Sequence, residues 1–416
     1  MYKKVWFVGI MLVQGFISQA QIKVLFDATK AETAGCADWV IDSDTYNLGW
    51  APNGYVNANN WRSNAQRVPS PPQSQITSTT TEDFWTGGIS AWGVDCAKKG
   101  YTVETLPYNG SITYNNTANP QDLSNYDVYI VVEPNILFTT AQKTAIMQFV
   151  QNGGGLFMIS DHTISDRNFD NYDSPVIWND LMSANSVQTN PFGITFDLAD
   201  FSGTSSSVVA AANDPIIHGT AGNVTKVQWA NGTSMTLTPT ANSSVKAVVY
   251  RTGTNSGNNN VLVAYATFGS GKVVAIGDSS PTDDGTGNPN ASTNNCTLYN
   301  GYTSDASGNH QRLLMNATIW LTTPVLANPE FNLQNAAISL GQNPIDAQQI
   351  QLNNASMVAI DRFQLFGLDG KLIDSRTIDS SDLEINISLA QALHSGMYLL
   401  KLFQGNEAVT LKCVVK

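Results

Sequence analysis

The chain predicts an α/β fold, a largely parallel sheet with helices on both faces, followed by a small C-terminal all-β sandwich. Three observations predict it. Residues 126–133 contain the apolar run Val128, Tyr129, Ile130, Val131 and Val132, and 156–160 form a second buried run. Between them, Ala145, Ile146, Phe149 and Val150 fall at the i, i+3, i+4 spacing of a helix. Strand, helix and strand in this order make a right-handed crossover and a parallel pair. From residue 192 the pattern turns β-like, and beyond 337 short strands and turns recur at regular spacing.

At the N-terminus, Lys3-Lys4 precedes an apolar stretch over 5–17, too short to span a bilayer comfortably. Ser18-Gln19-Ala20 then offers small residues where a signal peptidase reads, so 1–20 is expected to be a signal peptide cut before Gln21. Residues 22–27 read as a buried parallel strand. Residues 47–81, rich in Asn, Pro, Ser and Gln, read as a long surface excursion. A helix is expected over 89–99, stopped by Gly100, then a strand over 101–106. Thr139 or Thr140 caps the helix that runs to Asn152, and Gly153-Gly154-Gly155 ends it. Strands are expected over 192–198, 245–250, 261–268 and 272–276, with a hairpin turn at Gly269-Ser270-Gly271. Leu313, Leu314, Ala317 and Trp320 mark a closing helix over 310–321. The expected domains are an α/β domain at 21–323, a linker at 324–336 and a β-sandwich at 337–416.

Composition narrows the function. Hydrophobic residues make up 42%, enough for a large core, while charged residues are only 13%. A net charge of -12 lacks the basic footprint that phosphate neutralisation needs, which argues against a nucleic-acid partner, and it permits cation binding. The four cysteines, Cys36, Cys96, Cys296 and Cys413, form no CxxC pair, which argues against structural zinc. Cys36 with Cys96 is one candidate bridge, but spacing does not fix the pairing. No further apolar run is long enough to cross a bilayer, so no transmembrane segment is expected in the mature protein.

The last fifth of the chain has a distinctive order of motifs. Asn343-Pro344 comes first, then Gly367-Leu368-Asp369-Gly370-Lys371, then Ser395-Gly396-Met397-Tyr398-Leu399-Leu400-Lys401-Leu402, then the tail Leu411-Lys412-Cys413-Val414-Val415-Lys416. This order resembles the C-terminal sorting domain of type IX secretion, found in the Bacteroidetes. The resemblance implies a secreted or cell-surface protein, with the type IX machinery as partner.

A second resemblance covers most of 22–321. Asp-Val-Tyr-Ile-Val-Val at 127–132, Phe-Val-Gln-Asn-Gly-Gly-Gly-Leu-Phe-Met-Ile-Ser-Asp-His at 149–162 and Phe-Gly-Ser-Gly-Lys-Val-Val-Ala-Ile-Gly-Asp-Ser-Ser at 268–280 look like class I glutamine-amidotransferase-like proteins, near the secreted ThuA-like branch. That resemblance implies a flavodoxin-like arrangement. True amidotransferases place a nucleophilic Cys between glycines at a strand-to-helix elbow, and none of the four cysteines has that context.

Two polar clusters follow buried strands, where open α/β sheets bind ligands. One runs from Ser160 through Asp161, His162, Asp166, Arg167, Asn168, Asp170 and Asp173 to Ser174; the other runs from Gly277 through Asp278, Asp283 and Asp284 to Gly287. Asp166, Asn168, Asp170 and Asp173 alternate oxygen donors as the front of a calcium loop does. Yet Asn171 replaces the sixth-position Gly, and Ile177 stands where the bidentate Glu belongs. Two readings stay open. One is a calcium or magnesium site completed from another loop, with Asp283 among its ligands; the other is an Asx-rich turn. His162 is a candidate general base, and Asp161 or Asp278 would orient it or bind metal. Asp27, with Lys30 and Glu32 nearby, also ends a strand and could join the site. For His218 and His310 a structural role is favoured, as is core packing for Trp39 and Trp92. The dense tryptophans of the first hundred residues otherwise suit a glycan platform.

The sequence therefore leads to a secreted hydrolase acting on an extracellular polymer, with glycan as the first substrate class and a divalent cation held by the acidic loops. The alternative is a non-catalytic secreted or cell-surface carbohydrate-binding protein with a structural calcium site.

Overall fold

The computed structural model describes residues 21–34, 37–42, 50–51, 54–55, 65–286, 299–304, 306, 308–323, 338–355, 357–405 and 407–416. The expected signal peptide, the linker at 324–336, Cys36 and Cys296 lie outside the described residues. The chain divides into two compact units, Met1–Val325 and Leu326–Lys416.

The first unit is built on a ten-stranded sheet. Its elements in chain order are β1 (Lys23–Asp27), α1 (Ser90–Lys98), β2 (Thr102–Leu106), β3 (Val128–Val132), α2 (Thr140–Gln151), β4 (Gly155–Ile159) and α3 (Ser174–Ser183). Then come β5 (Ile194–Phe196), β6 (Ser207–Val208), β7 (Met235–Leu237), β8 (Lys246–Tyr250), β9 (Val261–Phe268), β10 (Gly271–Ile276) and α4 (His310–Thr322). Along the sheet the order is β6-β8-β9-β10-β4-β3-β1-β2, with β7 joining β9 to β5. The block β10-β4-β3-β1-β2 is parallel throughout. The remaining pairs are antiparallel, so the β-like second half of this unit supplies one flank of the same sheet.

Both sheet faces are covered, which explains why the central strands are apolar without alternation. On one face Trp92 and Val94 of α1 and Leu313, Leu314 and Ala317 of α4 pack against Phe26, Ile130, Phe157 and Val274. On the other, Ile146 and Phe149 of α2 and Trp178 and Leu181 of α3 pack against Leu25, Tyr129, Leu156 and Val273. Trp39 and Trp92 are core residues, and so is Trp85.

Local chemistry sets the helix ends. Thr139 caps α2 through a capping box: its hydroxyl accepts from Gln142 N, and Gln142 Oε1 accepts from Thr139 N. Gly100, at φ +83°, takes the left-handed turn after α1. The helix α3 was not foreseen, because its first residues were read as the end of an acidic loop. Its signal is present all the same. Asp173 accepts from Val176 N as N-cap, Pro175 occupies the first turn, and Ile177, Trp178 and Leu181 line one face.

The second unit holds two antiparallel sheets around one core. Strands β11 (Ile338–Leu340), β12 (Gln349–Asn354), β13 (Ile360–Gly367), β14 (Leu372–Ser380), β15 (Glu384–Ser388), β16 (Gly396–Gln404) and β17 (Glu407–Val415) form the orders β11-β12-β15 and β14-β13-β16-β17. Ile350, Leu352, Phe363, Leu365, Leu400 and Leu402 fill the space between them. Asn343 fastens the start of this unit to its last strand: its side chain donates to Lys412 O and accepts from Val414 N.

Candidate functional site

Three adjacent parallel strands end level with one another. Val132 of β3 is in register with Ile159 of β4, which is in register with Ile276 of β10. Each strand is followed within two residues by an acid: Glu133, Asp161 and Asp278. Strand alternation would send Asp161 and Asp278 to one face and Glu133 to the other. Glu133 instead takes φ +48°, in the left-handed region, and its carboxylate turns toward the other two. There Glu133 Oε2 accepts from Trp39 Nε1 (2.8 Å) and from Ser279 Oγ (2.6 Å).

Arg167 lies across two of the acids. Its Nε donates to Glu133 Oε1 at 3.2 Å and its guanidinium donates to Asp161 Oδ2 at 3.0 Å. Asp278 is held by backbone: Oδ2 accepts from Ala230 N at 2.5 Å and Oδ1 from Ser280 N at 2.8 Å. Gly232 permits this approach, because a Cβ there would lie 2.6 Å from the Asp278 Cβ.

Burial governs the protonation of the cluster. Glu133, Asp161 and Asp278 are all almost fully removed from solvent. Burial drives Asp161 well above the usual carboxylate range, with the charges of Glu133 and then Asp278 adding to it and Arg167 opposing. Burial also raises Asp278 to about 7, although Ser280 and Ala230 donate to it and pull the other way. With one guanidinium among three carboxyls, Asp161 and Asp278 hold protons more readily than free carboxyls do.

His162 completes the group. Its Nδ1 meets Thr163 O, and a carbonyl only accepts, so Nδ1 carries a hydrogen. Its Nε2 faces Asp161 Oδ2 at 3.6 Å, and Asp200 Oδ2 stands 3.5 Å from Nδ1. His162, Asp161 and Asp278 therefore occupy neighbouring strand ends. Glu133 and Arg167 complete the network. The sequence signal for Glu133 was its place directly after the clearest buried strand.

The other sequence candidates lie apart from this cluster. Asp166 accepts from Asp170 N and Asn171 N, and Asp170 accepts from Tyr172 N and from the Asn168 amide. Asp173 accepts from Ile164 N and caps α3. Asp283 accepts from Gly285 N and Tyr299 N, in a separate turn. These carboxylates are thus engaged by backbone amides, as in an Asx-rich turn. Among the described residues no three or more His, Cys, Asp or Glu side chains form a group that could hold a metal ion.

Asp27 pairs instead with Glu32 at the end of β1. Burial raises both, Glu32 well above its usual range, with Lys30 beside them. Asn135 bridges this loop to the cluster, donating to Ala31 O and Glu133 O. His310 is structural: Nε2 accepts from Gln228 N and Nδ1 meets Gly301 O. His218 sits beside Asn223 in a short ribbon.

Two open hollows are lined by none of the cluster residues. One of about 350 Å³ is lined by Thr81, Asp83, Asp284 and Asn300, and one of about 610 Å³ by Tyr114, Asn116, Thr144 and Gln148.

Residues 343–416 match the secretion system C-terminal sorting domain. The sorting domain directs the protein through type IX secretion to the cell surface or the extracellular space, and the secretion machinery is its partner. Among the described residues no helix is long and apolar enough to cross a membrane. No curated protein matches the chain. Among solved structures, the mmIFT52 N-terminal domain is similar over 73% of this chain and 99% of that one, at 13% identity and a TM-score of 0.40. A cytoplasmic protein from Salmonella typhimurium is similar over 72% of this chain and 99% of that one, at 13% identity and a TM-score of 0.35. A protein of the DUF3244 family with an immunoglobulin-like β-sandwich, from Bacteroides vulgatus, is similar over 20% of this chain and 96% of that one, at 19% identity and a TM-score of 0.15. At these identities and scores the likenesses say nothing of reaction or substrate.

Proposed function

We propose that the exported α/β unit is a hydrolase of an extracellular polymer, with glycan as the substrate class, working by acid–base chemistry of carboxyl groups. The observation behind this reading is the meeting of Glu133, Asp161 and Asp278 at three adjacent strand ends around one guanidinium. Such strand ends are where open α/β sheets bind ligands. We further propose a flavodoxin-like, amidotransferase-like identity for this unit, without a cysteine nucleophile. The parallel block supports it, and Cys96 lies buried inside α1 and not at a strand-to-helix elbow.

In this reading Asp278, raised to about 7, keeps a proton near neutrality and delivers it to the leaving oxygen. The imidazole of His162, in its neutral form and held at Nδ1 by Thr163 O, takes a proton from the attacking water at Nε2. Arg167 with Glu133 fixes Asp161 beside it.

The test is release of new reducing ends from neutral polysaccharides. Asp278→Asn keeps the size of the side chain, leaves one of the Ala230 and Ser280 amides without its acceptor, and should lower turnover by about 10²-fold or more. Unchanged turnover in a folded Asp278→Asn protein would reject the assignment.

A second reading, the non-catalytic carbohydrate-binding protein with structural calcium, draws on two features. The carboxyl cluster is closed to solvent, and Asn168 Oδ1 is buried without a hydrogen-bond partner. The loop carboxylates around Asn168 already serve backbone amides, so EDTA should leave the melting temperature unchanged. A clear fall on chelation, restored by calcium, would favour this second reading.

A further inference from the structure

Large apolar side chains are rarely exposed together on one small area of a soluble protein unless something binds there. In the first unit six are exposed among the described residues, and four belong to two touching segments. Ile164 is 87% exposed, Phe169 62% and Tyr172 40%, all on the loop that follows His162, and Leu198 is 65% exposed. The segments meet where Thr163 N donates to Ala199 O at 3.0 Å. Val68 and Tyr108 are the other two.

The loop backbone works to present these groups. Ile164 and Phe169 sit at φ +67° and +61°, a region disfavoured for a β-branched residue and uncommon for an aromatic one. The same loop reaches inward through Arg167, which covers Glu133 and Asp161. One short segment therefore carries an apolar rim outside and the guanidinium that closes the carboxyl cluster inside.

We infer that the rim formed by Ile164, Phe169, Tyr172 and Leu198 docks the ring faces of a neutral saccharide on the outer side of the loop whose Arg167 covers the carboxyl cluster. The inference rests on the proposed carboxyl site, which the same loop covers. Charge selects the occupant. The net charge of -12 disfavours polyanions. A cationic peptide would seek free carboxylates, yet Asp166, Asp170 and Asp173 are engaged by backbone amides, Asp197 by Ser234 and Thr236 hydroxyls, and Asp200 faces the His162 ring. Aromatic faces beside hydrogen-bonding groups suit a ring that is apolar on its faces and hydroxylated at its edge.

The experiment is calorimetric titration of the full mature chain with cellohexaose, xylohexaose, mannohexaose and laminarihexaose. At least one should bind, and the double variant Phe169→Ala/Tyr172→Ala should bind it about tenfold more weakly or worse. Tyr108→Ala, at an exposed position outside the rim, should bind as the wild type does. Equal affinity in the double variant, no binding of any hexasaccharide, or preferential binding of hexalysine would overturn the inference. Binding that depends on the rim but yields no new reducing ends would leave the docking surface standing and sink the hydrolase reading.

Discussion

Glu133→Ala is expected to lower the stability of the first unit by about 3–5 kcal/mol, measured by urea unfolding at neutral pH. Three donors lose their acceptor at once: Arg167 Nε, Trp39 Nε1 and Ser279 Oγ. Two of them belong to residues with almost no contact with water, Trp39 and Ser279, so solvent cannot replace the lost carboxylate. Glu133→Gln keeps the shape and one acceptor oxygen and should recover part of the loss. It also removes a negative charge that helps to hold Asp161 and Asp278 protonated, so the remaining acids should ionise more readily. A loss below about 1 kcal/mol for the alanine variant would mean that the network is not cooperative.

The second large effect is a fall in stability as pH rises from about 4 to about 8. The sign follows from proton binding. Asp278 is raised from 3.8 to about 7 and Asp283 from 3.8 to about 8, while Asp161, Glu32 and Asp38 are raised well above their ordinary values, burial being the main cause in every case. Between the unfolded and folded values the native chain binds more protons than the unfolded chain. Stability is then fully present below the unfolded value and is lost as pH climbs through the folded one. For Asp278 alone the shift corresponds to about 4 kcal/mol. Glu104 and Asp122 act oppositely: both are lowered, by Arg67 and Tyr126 for Glu104 and by Ser124 and Thr113 for Asp122, and they lose stability only as pH falls. Maximum stability is therefore expected on the acid side of neutrality. Melting temperatures measured across this window would check it, and Asp278→Asn should flatten the slope. A melting temperature that climbs toward pH 8 would contradict this account.

Much of the architecture could be read in advance for a local reason. The strand Val128–Val132 and the helix Thr140–Gln151 announce themselves through apolar runs, 3.6-residue spacing and a capping box, all within a few residues. The sorting domain was legible because its motifs stand in fixed order along 343–416. The helix Ser174–Ser183 was missed because Asp173 reads equally as a cap or as a ligand until its partners are known. The same ambiguity covers Asp166, Asn168 and Asp170. An oxygen facing a cation and an oxygen facing its own backbone leave the same trace in sequence.

What the sequence by itself determined is the class of fold, the strand-end position of Asp161, His162 and Asp278, and the export route. Each depends on neighbours along the chain. Only the tertiary structure decided that Glu133 and Arg167 join them and that the acidic loop turns its carboxylates inward on its own amides. Glu133 and Ser279 are 146 positions apart and share a 2.6 Å hydrogen bond. The pairing of three parallel strands brings them together, and with Arg167 the only guanidinium bound to these acids in the described residues, water exclusion raises the proton affinity of Asp161 and Asp278.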